Sequence, residues 1–186
     1  MCHIERVISF KPVVPDDLPV IWKWYREPHV LEWYSFDEPR TLDGIQAKFA
    51  DIFSGKDPVS AYLMLLDNAS IGYIQAYWIG DHDEYALALQ VDADSVGVDL
   101  FIGEPDYVHR GLGSTVLRQF VHEIVFRQLG ASYCVIGPEI GNKIAIRAYE
   151  KAGFRHLKTV DVPGERAPEY LMIYERDIDL DSGARI

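Results

Sequence analysis

A glycine-rich turn between an apolar segment and a helical pattern is the feature that most constrains the fold of this chain. The turn is Val108-His-Arg-Gly-Leu-Gly-Ser114, and the apolar segment 96–102 precedes it. Apolar residues recur after the turn at helical spacing and predict a helix to about Leu129: Leu112, Val116, Leu117, Phe120, Val121, Ile124 and Val125. The backbone N–H groups that begin such a helix lack intrahelical acceptors and lie at the positive end of its dipole, so the turn can bind phosphate. The alternative is that its glycines only close a strand–helix connection.

The rest of the chain alternates predicted strands and helices. Strands are predicted over residues 8–13, 62–66, 71–79, 86–91, 97–102, 133–136, 154–160 and 169–174. Helices are predicted from Asp16, from an N-cap at Thr41 to about Phe53, after the glycine turn, and from Asn142 to Gly153, and residues 29–34 are predicted to form a short turn or helix. Helices inserted between largely consecutive strands predict one α/β domain over residues 1–186.

Composition narrows the classes of partner. The 18 basic and 29 acidic residues give a net charge of −11, which argues against nucleic acid and favours a cationic partner, although an acidic surface also serves solubility alone. No apolar run reaches membrane-spanning length and the first residues lack a signal-peptide pattern, so we expect a cytoplasmic protein without a membrane partner. Cys134 lies in an apolar run and is predicted to be a core residue. The six histidines are scattered, so we expect no metal site.

A second group of polar residues lies on the predicted helix that starts at Asn142. Asn142, Ala145 and Tyr149 are three and four residues apart and share one face of that helix. A phenol can protonate a departing thiolate, and an asparagine amide can hold an extended amide-bearing ligand. The alternative is that Asn142 is only an N-cap and Tyr149 only a core aromatic with an exposed hydroxyl.

The order of these motifs resembles that of the GNAT acyl-CoA-dependent N-acetyltransferases over the whole chain. The resemblance implies a mixed, mostly antiparallel sheet with helices on both faces, splayed where coenzyme A enters, and acetyl-CoA as cosubstrate. It places the pyrophosphate of the coenzyme on His109, Arg110, Gly111, Leu112, Gly113 and Ser114, and its pantetheine arm along Leu100, Phe101 and Ile102. It assigns the pantetheine and the thiolate to Asn142, Ala145 and Tyr149. Val108 departs from the Gln or Arg that the family often has there.

A closer resemblance is to the aminoglycoside 6'-N-acetyltransferases, which transfer acetyl to the 6'-amine of a polycationic aminosugar. It is carried by residues 29–34, 71–77, 97–99, 111–113 and 147–154. It implies that Asp99 and Asp92 bind the amine and help remove its proton, with Asp94 as an alternative to Asp92. Candidate acceptor contacts are Trp33, Tyr34, Tyr73, Gln75 and Glu139, the alternative for Trp33 and Tyr34 being that they are partly exposed residues at the edge of the core. Where that family has an aspartate after the strand 133–136, this chain has Gly137 and Pro138, and Glu139 or residues 162–165 are candidate substitutes.

The physical argument for Asp99 is independent of the resemblance. An alkylammonium has a pKa of about 10 and cannot attack a thioester until it loses a proton, which a nearby carboxylate can accept. A charge in the middle of an apolar strand is costly, so Asp99 is the leading catalytic candidate, the alternative being an aspartate satisfied by backbone or arginine. A strand N–H near Leu100 is a candidate oxyanion donor.

Three functions remain open. The first is an aminoglycoside 6'-N-acetyltransferase, monomeric or homodimeric. The second is an acyltransferase for siderophore precursors or other small amines, and the third is a non-catalytic module that binds acyl-CoA.

Overall fold

The computed structural model of the protein describes residues 6–34, 39 and 41–177. Seven strands form one sheet in the order β1-β2-β3-β4-β5-β7-β6. They are β1 (Ile8–Pro12), β2 (Val59–Leu66), β3 (Ala69–Trp78), β4 (Ser95–Ile102), β5 (Tyr133–Ile136), β6 (Arg155–Val160) and β7 (Glu169–Glu175). All neighbours are antiparallel except β4 and β5, which are parallel, so the predicted mixed, mostly antiparallel sheet is confirmed.

Helices cover both faces of the sheet, as predicted. One face carries α1 (Leu18–Tyr25), α2 (Pro28–Trp33), α3 (Leu42–Phe53) and α4 (Asp83–Leu89). The other face carries α5 (Leu112–Phe120), which continues as a π-helical segment (Val121–Gln128), and α6 (Lys143–Ala152). The alternation of β3 explains the two cores, because Tyr73 packs with α1 and α3 whereas Ile74 packs with α5.

The predicted strand over residues 86–91 is wrong, because this segment lies mostly in α4. Two acidic residues occupy the first turn of α4, where they complement the helix dipole, and Gln90 ends the helix with a positive φ of 47°. Leu89 is fully buried and Leu87 is 75% exposed. A strand would place these two residues on the same face, whereas positions two apart on a helix point in different directions.

The sheet opens between β4 and β5. These strands pair only from Ser95 to Gly97 on the β4 side, and β4 then continues to Ile102 while β5 ends at Ile136. A short 3-10 turn (Pro105–Tyr107) connects β4 to the glycine turn, which leads into α5. The structure therefore places the predicted anion-binding turn at the open end of the splay.

Within the described ranges, every helix is too short or too polar to cross a bilayer. Cys134 has no exposed surface and belongs to the core between the sheet and α5, as predicted.

Candidate active site

A cavity of about 350 Å³ lies on the α1–α4 face of the sheet, beside the splay. Its floor is formed by strands β3 and β4, and its walls by α3, α4 and the segment 161–169. The lining residues are Lys48, Ile52, Asp57, Val59, Gln75, Tyr77, His82, Tyr85, Asp99, Glu165 and Glu169. Four of them are carboxylic acids and one is a lysine, so the chemistry of the cavity suits a cation.

Asp99 lies on the floor and is held by a relay of hydrogen bonds. Gln75 is its cross-strand partner on β3 and donates from Nε2 to Asp99 Oδ2 at 2.9 Å. Tyr73 is 1% exposed and donates its hydroxyl to Gln75 Oε1 at 2.8 Å, which fixes the amide so that its NH₂ group faces the carboxylate. Tyr73 therefore orients Gln75 from behind rather than lining the cavity.

Burial raises the pKa of Asp99, because removal from water penalises the charged form. Hydrogen bonds from Gln75 and Tyr77 oppose this shift, and electrostatic attraction to Lys48 and His82 also lowers the pKa of Asp99. A carboxylate in this balance can both attract an ammonium group and accept its proton.

Glu169, at the start of β7, is a second buried carboxylate in the cavity, and sequence reasoning missed it. It is 8% exposed, and its Oε2 accepts a hydrogen bond from the Tyr85 hydroxyl at 3.0 Å. Burial raises its pKa to about 8, with Asp99 and Glu165 adding to the rise and the Tyr85 hydrogen bond opposing it. The sequence does hold a signal for this burial: Glu169 is two residues before Leu171 and four before Ile173, so all three face the same side of β7.

The Glu169 carboxylate occupies the space beside Gly137. A Cβ atom added to Gly137 would lie 2.0 Å from Glu169 Oε2 and 2.7 Å from Cδ. At the end of β5, where the resemblance leads one to expect an aspartate, the structure therefore presents a carboxylate from the adjacent strand β7. Glu139 follows in the chain, but it is engaged elsewhere.

Arg166 connects the segment 161–168 to α2 at the rim of the cavity. Its guanidinium forms an ion pair with Glu139, donates to the carbonyl oxygen of Glu32, and lies 5.9 Å from the centre of the Trp33 ring. Glu139 and Trp33 thus both contact Arg166 at the rim, and neither lies on the cavity floor. Glu165, the residue before Arg166, lines the cavity.

Two further predicted acceptor contacts lie away from the cavity. Tyr34 packs against Phe101 with ring centres 4.7 Å apart and belongs to the aromatic core under α1. Asp92 is exposed, and its Oδ1 accepts a hydrogen bond from the backbone N–H of Asp94 at 3.0 Å. The carboxylate of Asp92 is therefore used in its own turn, and the structure does not bring it to Asp99; Asp94 is exposed in the same turn.

The glycine turn has the backbone geometry of an anion receptor. His109 and Gly111 both have left-handed φ angles, of 61° and 73°, and Gly111 caps α5. His109, Arg110 and Gly111 are exposed, and a Cβ placed on Gly111 or Gly113 would meet no atom within 4 Å beyond its chain neighbours and the backbone of α5. The N–H groups of the first turn, including Leu112 and Ser114, lack acceptors within the helix, so a phosphate can approach them closely.

The end of β4 contributes backbone rather than side chains to the splay. Phe101 is 8% exposed and points into the aromatic core. The carbonyl oxygen of Ile102 is 2.9 Å from His29 Nε2, so a side chain from α2 already uses this group. Leu100 is partly buried on the α5 side of the strand.

The start of α6 supplies the remaining predicted groups. Asn142 Oδ1 accepts the N–H of Ala145 at 3.1 Å, which confirms the predicted N-cap and leaves Nδ2 as the donor that Asn142 offers to a ligand. Tyr149 is partly buried, and its pKa is raised by burial and by the charge of Asp99. Tyr149 therefore keeps its proton at neutral pH.

The splayed sheet, the anion-binding turn and the acidic cavity define an acyl-transferring class of protein. Residues 13–162 match the family model described as Acetyltransferase (GNAT) domain, so the chain belongs to the GNAT acetyltransferase family.

Similar proteins fall in the same class. Aminoglycoside N(6')-acetyltransferase type 1 of Klebsiella pneumoniae is 28% identical over 171 residues, which cover 91% of this chain and 83% of that relative. The crystal structure of aminoglycoside acetyltransferase AAC(6')-Ib in complex with coenzyme A and kanamycin has a TM-score of 0.80 at 27% identity, covering 91% of this chain and 95% of that one. N(6)-hydroxylysine O-acetyltransferase of Escherichia coli is 22% identical, covering 89% of this chain and 51% of that enzyme.

Proposed function

We propose that this chain is an acetyl-CoA-dependent N-acetyltransferase that acts on the 6'-amine of aminoglycosides in the cytoplasm. The observation that carries the proposal is the position of Asp99 on the floor of an acidic cavity beside the splay. The names of the similar proteins support the same donor and the same class of acceptor.

The donor side of the proposal rests on the fit between the splay and an extended thioester. The turn at 109–114 offers backbone N–H groups to the pyrophosphate, and Arg110 offers an exposed cation beside them. Asn142 Nδ2 and the backbone of Leu100 are the polar groups available to an amide-bearing arm in the splay. Acetyl-CoA, when bound, supplies the acetyl thioester at this opening.

Asp99 prepares the acceptor. Its carboxylate attracts the ammonium group, and Gln75 holds it in position through the 2.9 Å hydrogen bond. One proton then passes from the ammonium to Asp99, directly or through water, because only the neutral amine is nucleophilic. The raised pKa of Asp99 favours this transfer, since it makes the carboxylate a stronger base than an exposed aspartate.

Tyr149 completes the proton balance. The amine attacks the carbonyl carbon, the C–S bond breaks, and the departing thiolate takes a proton from Tyr149. The nitrogen loses its second proton as it becomes an amide, and this proton returns through water to the Tyr149 phenolate. Burial and the charge of Asp99 raise the pKa of Tyr149, so this phenol is protonated at neutral pH and has a proton to give to the thiolate. We assign to it the donation of that proton.

The test is thiol release from acetyl-CoA with a panel of amines. Kanamycin and tobramycin should give release, whereas release only with hydroxylated lysine would favour the siderophore-precursor reaction. Binding of coenzyme A without turnover of any amine would favour a non-catalytic module.

A matched pair of variants tests the role of Asp99. Asp99→Asn should lower kcat/KM by about 100-fold or more while coenzyme A binding is retained. Asp57→Asn makes the same charge change in the same cavity and should cost far less, since Asp57 is not a partner of Gln75. Equal losses in the two variants would contradict the assignment.

A further inference from the structure

Glu169 forms a carboxylate pair with Asp99 across one cavity, although the two residues come from β7 and β4. Both line the cavity; burial is the main cause of the raised pKa of Glu169, and the charge of Asp99 adds to it. A buried carboxylate without a compensating cation is costly to fold around. Among the described residues, the side-chain hydrogen bond to the Glu169 carboxylate comes from the hydroxyl of Tyr85, a neutral donor.

The surroundings of Glu169 explain why a ligand would have to supply the positive charge. The titratable groups that face it are Tyr85 from α4, Tyr77 and Asp99 from the sheet, and Glu165 from the adjoining segment. Lys48 and His82 complete the cavity wall, and both act on Asp99. Glu139, the backbone partner of Glu169, is already paired with Arg166.

We propose that Glu169 is a specificity-determining residue, which together with Asp99 makes the cavity select acceptors that carry two ammonium groups. This inference rests on the proposed transferase function. Asp99 takes the ammonium that will react, and Glu169 takes a second one on the same molecule. An acceptor with one ammonium group leaves Glu169 protonated, whereas a second ammonium group draws it into the charged form and releases its proton to solvent.

The pH dependence of acceptor binding separates this role from a structural one. Because Glu169 has a pKa of about 8, its charged form becomes dominant only above that pH. The KM for kanamycin should therefore fall by about tenfold between pH 7 and 9 relative to the KM of the Glu169→Gln variant. The KM for 6-amino-6-deoxyglucose, which carries one ammonium group, should show no such difference between the two proteins.

The size of the effect at fixed pH is a second readout. At pH 8.5 Glu169→Gln should raise the KM for kanamycin by roughly 10- to 100-fold and leave kcat within about threefold. Glu175→Gln on the exposed end of the same strand is the control, and it should leave both constants near those of the wild type. Equal KM values for kanamycin in the wild type and Glu169→Gln would overturn the inference while leaving the transferase function intact. A wild-type enzyme without kanamycin turnover would instead refute the proposed function.

The contact with Gly137 allows the charge to be moved to another strand. Gly137→Asp alone should impair acceptor binding, because its side chain and Glu169 compete for one space. In the Glu169→Ala background the same substitution should restore most of the lost affinity for kanamycin, and Gly137→Asn should not. If Gly137→Asn restored affinity as well as Gly137→Asp did, the effect would be packing and the charge argument would be refuted.

Discussion

Replacing Glu169 with glutamine should remove a large, pH-dependent destabilisation of the folded protein. Glutamine keeps the shape of the protonated side chain and keeps an oxygen that accepts the Tyr85 hydroxyl. The substitution therefore leaves the cavity wall intact and deletes only the possibility of charge.

The magnitude follows from the pKa of Glu169, which rises from 4.5 to about 8 on folding. A raised folded-state pKa means that the stability contributed by the neutral form is present below pH 4.5 and is lost as the pH rises towards 8. Each unit is worth about 1.4 kcal/mol, so the wild type should lose about 4 kcal/mol relative to Glu169→Gln between pH 5 and 9.

Urea unfolding followed by tryptophan fluorescence at pH 5, 7 and 9 measures this difference. At pH 5 the two proteins should be nearly equal in free energy of unfolding, and at pH 9 the variant should be the more stable. Glu175→Gln, on the same strand with its side chain 57% exposed, should stay within about 0.5 kcal/mol of the wild type at every pH. Parallel pH profiles for the wild type and Glu169→Gln would refute the account of Glu169 as a carboxylate that is costly to ionise.

Three further substitutions test other parts of the site. Tyr149→Phe should lower kcat by about 100-fold and leave the Kd for coenzyme A unchanged, because it removes only the proton donor; a fall confined to KM would contradict this. Gly111→Ala should weaken coenzyme A binding, since a φ of 73° costs an L-residue about 1–2 kcal/mol, as titration calorimetry would show; unchanged binding would mean that the turn does not hold the coenzyme. Arg166→Ala should raise the KM for kanamycin several-fold without affecting the Kd for coenzyme A, because it releases the rim from Trp33 and Glu139; equal effects on both ligands would argue for general unfolding.

Local signals in the sequence were sufficient to predict where several helices begin and end, including the two helices that flank the coenzyme A site. Thr41 and Asn142 accept the backbone N–H groups expected of N-caps, and Gly153 ends α6 with a φ of 117°. The helix after the glycine turn extends to Gln128, close to the predicted end at Leu129, although its second half is π-helical. These features depend on residues near each other in the chain, which is why spacing and capping rules reach them.

The cavity proposed to bind the acceptor depends on contacts between residues far apart in the chain, which spacing rules do not predict. Glu169 meets Gly137 because β7 lies beside β5 in the sheet, and only that order reveals the shared space. Asp92 matches the expected residue type and position, yet its carboxylate accepts a hydrogen bond from its own turn. The helix α4 replaces the predicted strand there and brings Tyr85 and His82 to the cavity wall.

The most direct test of the central claim is to locate the acetyl group on the product. Kanamycin incubated with the enzyme and acetyl-CoA labelled with ¹³C in its acetyl group should give, by two-dimensional NMR, a single new amide at the 6' nitrogen. The Asp99→Asn variant should give little of it under the same conditions. A product acetylated at another amine, or no labelled amide at all, would contradict the proposal that this cavity presents the 6'-amine to the thioester.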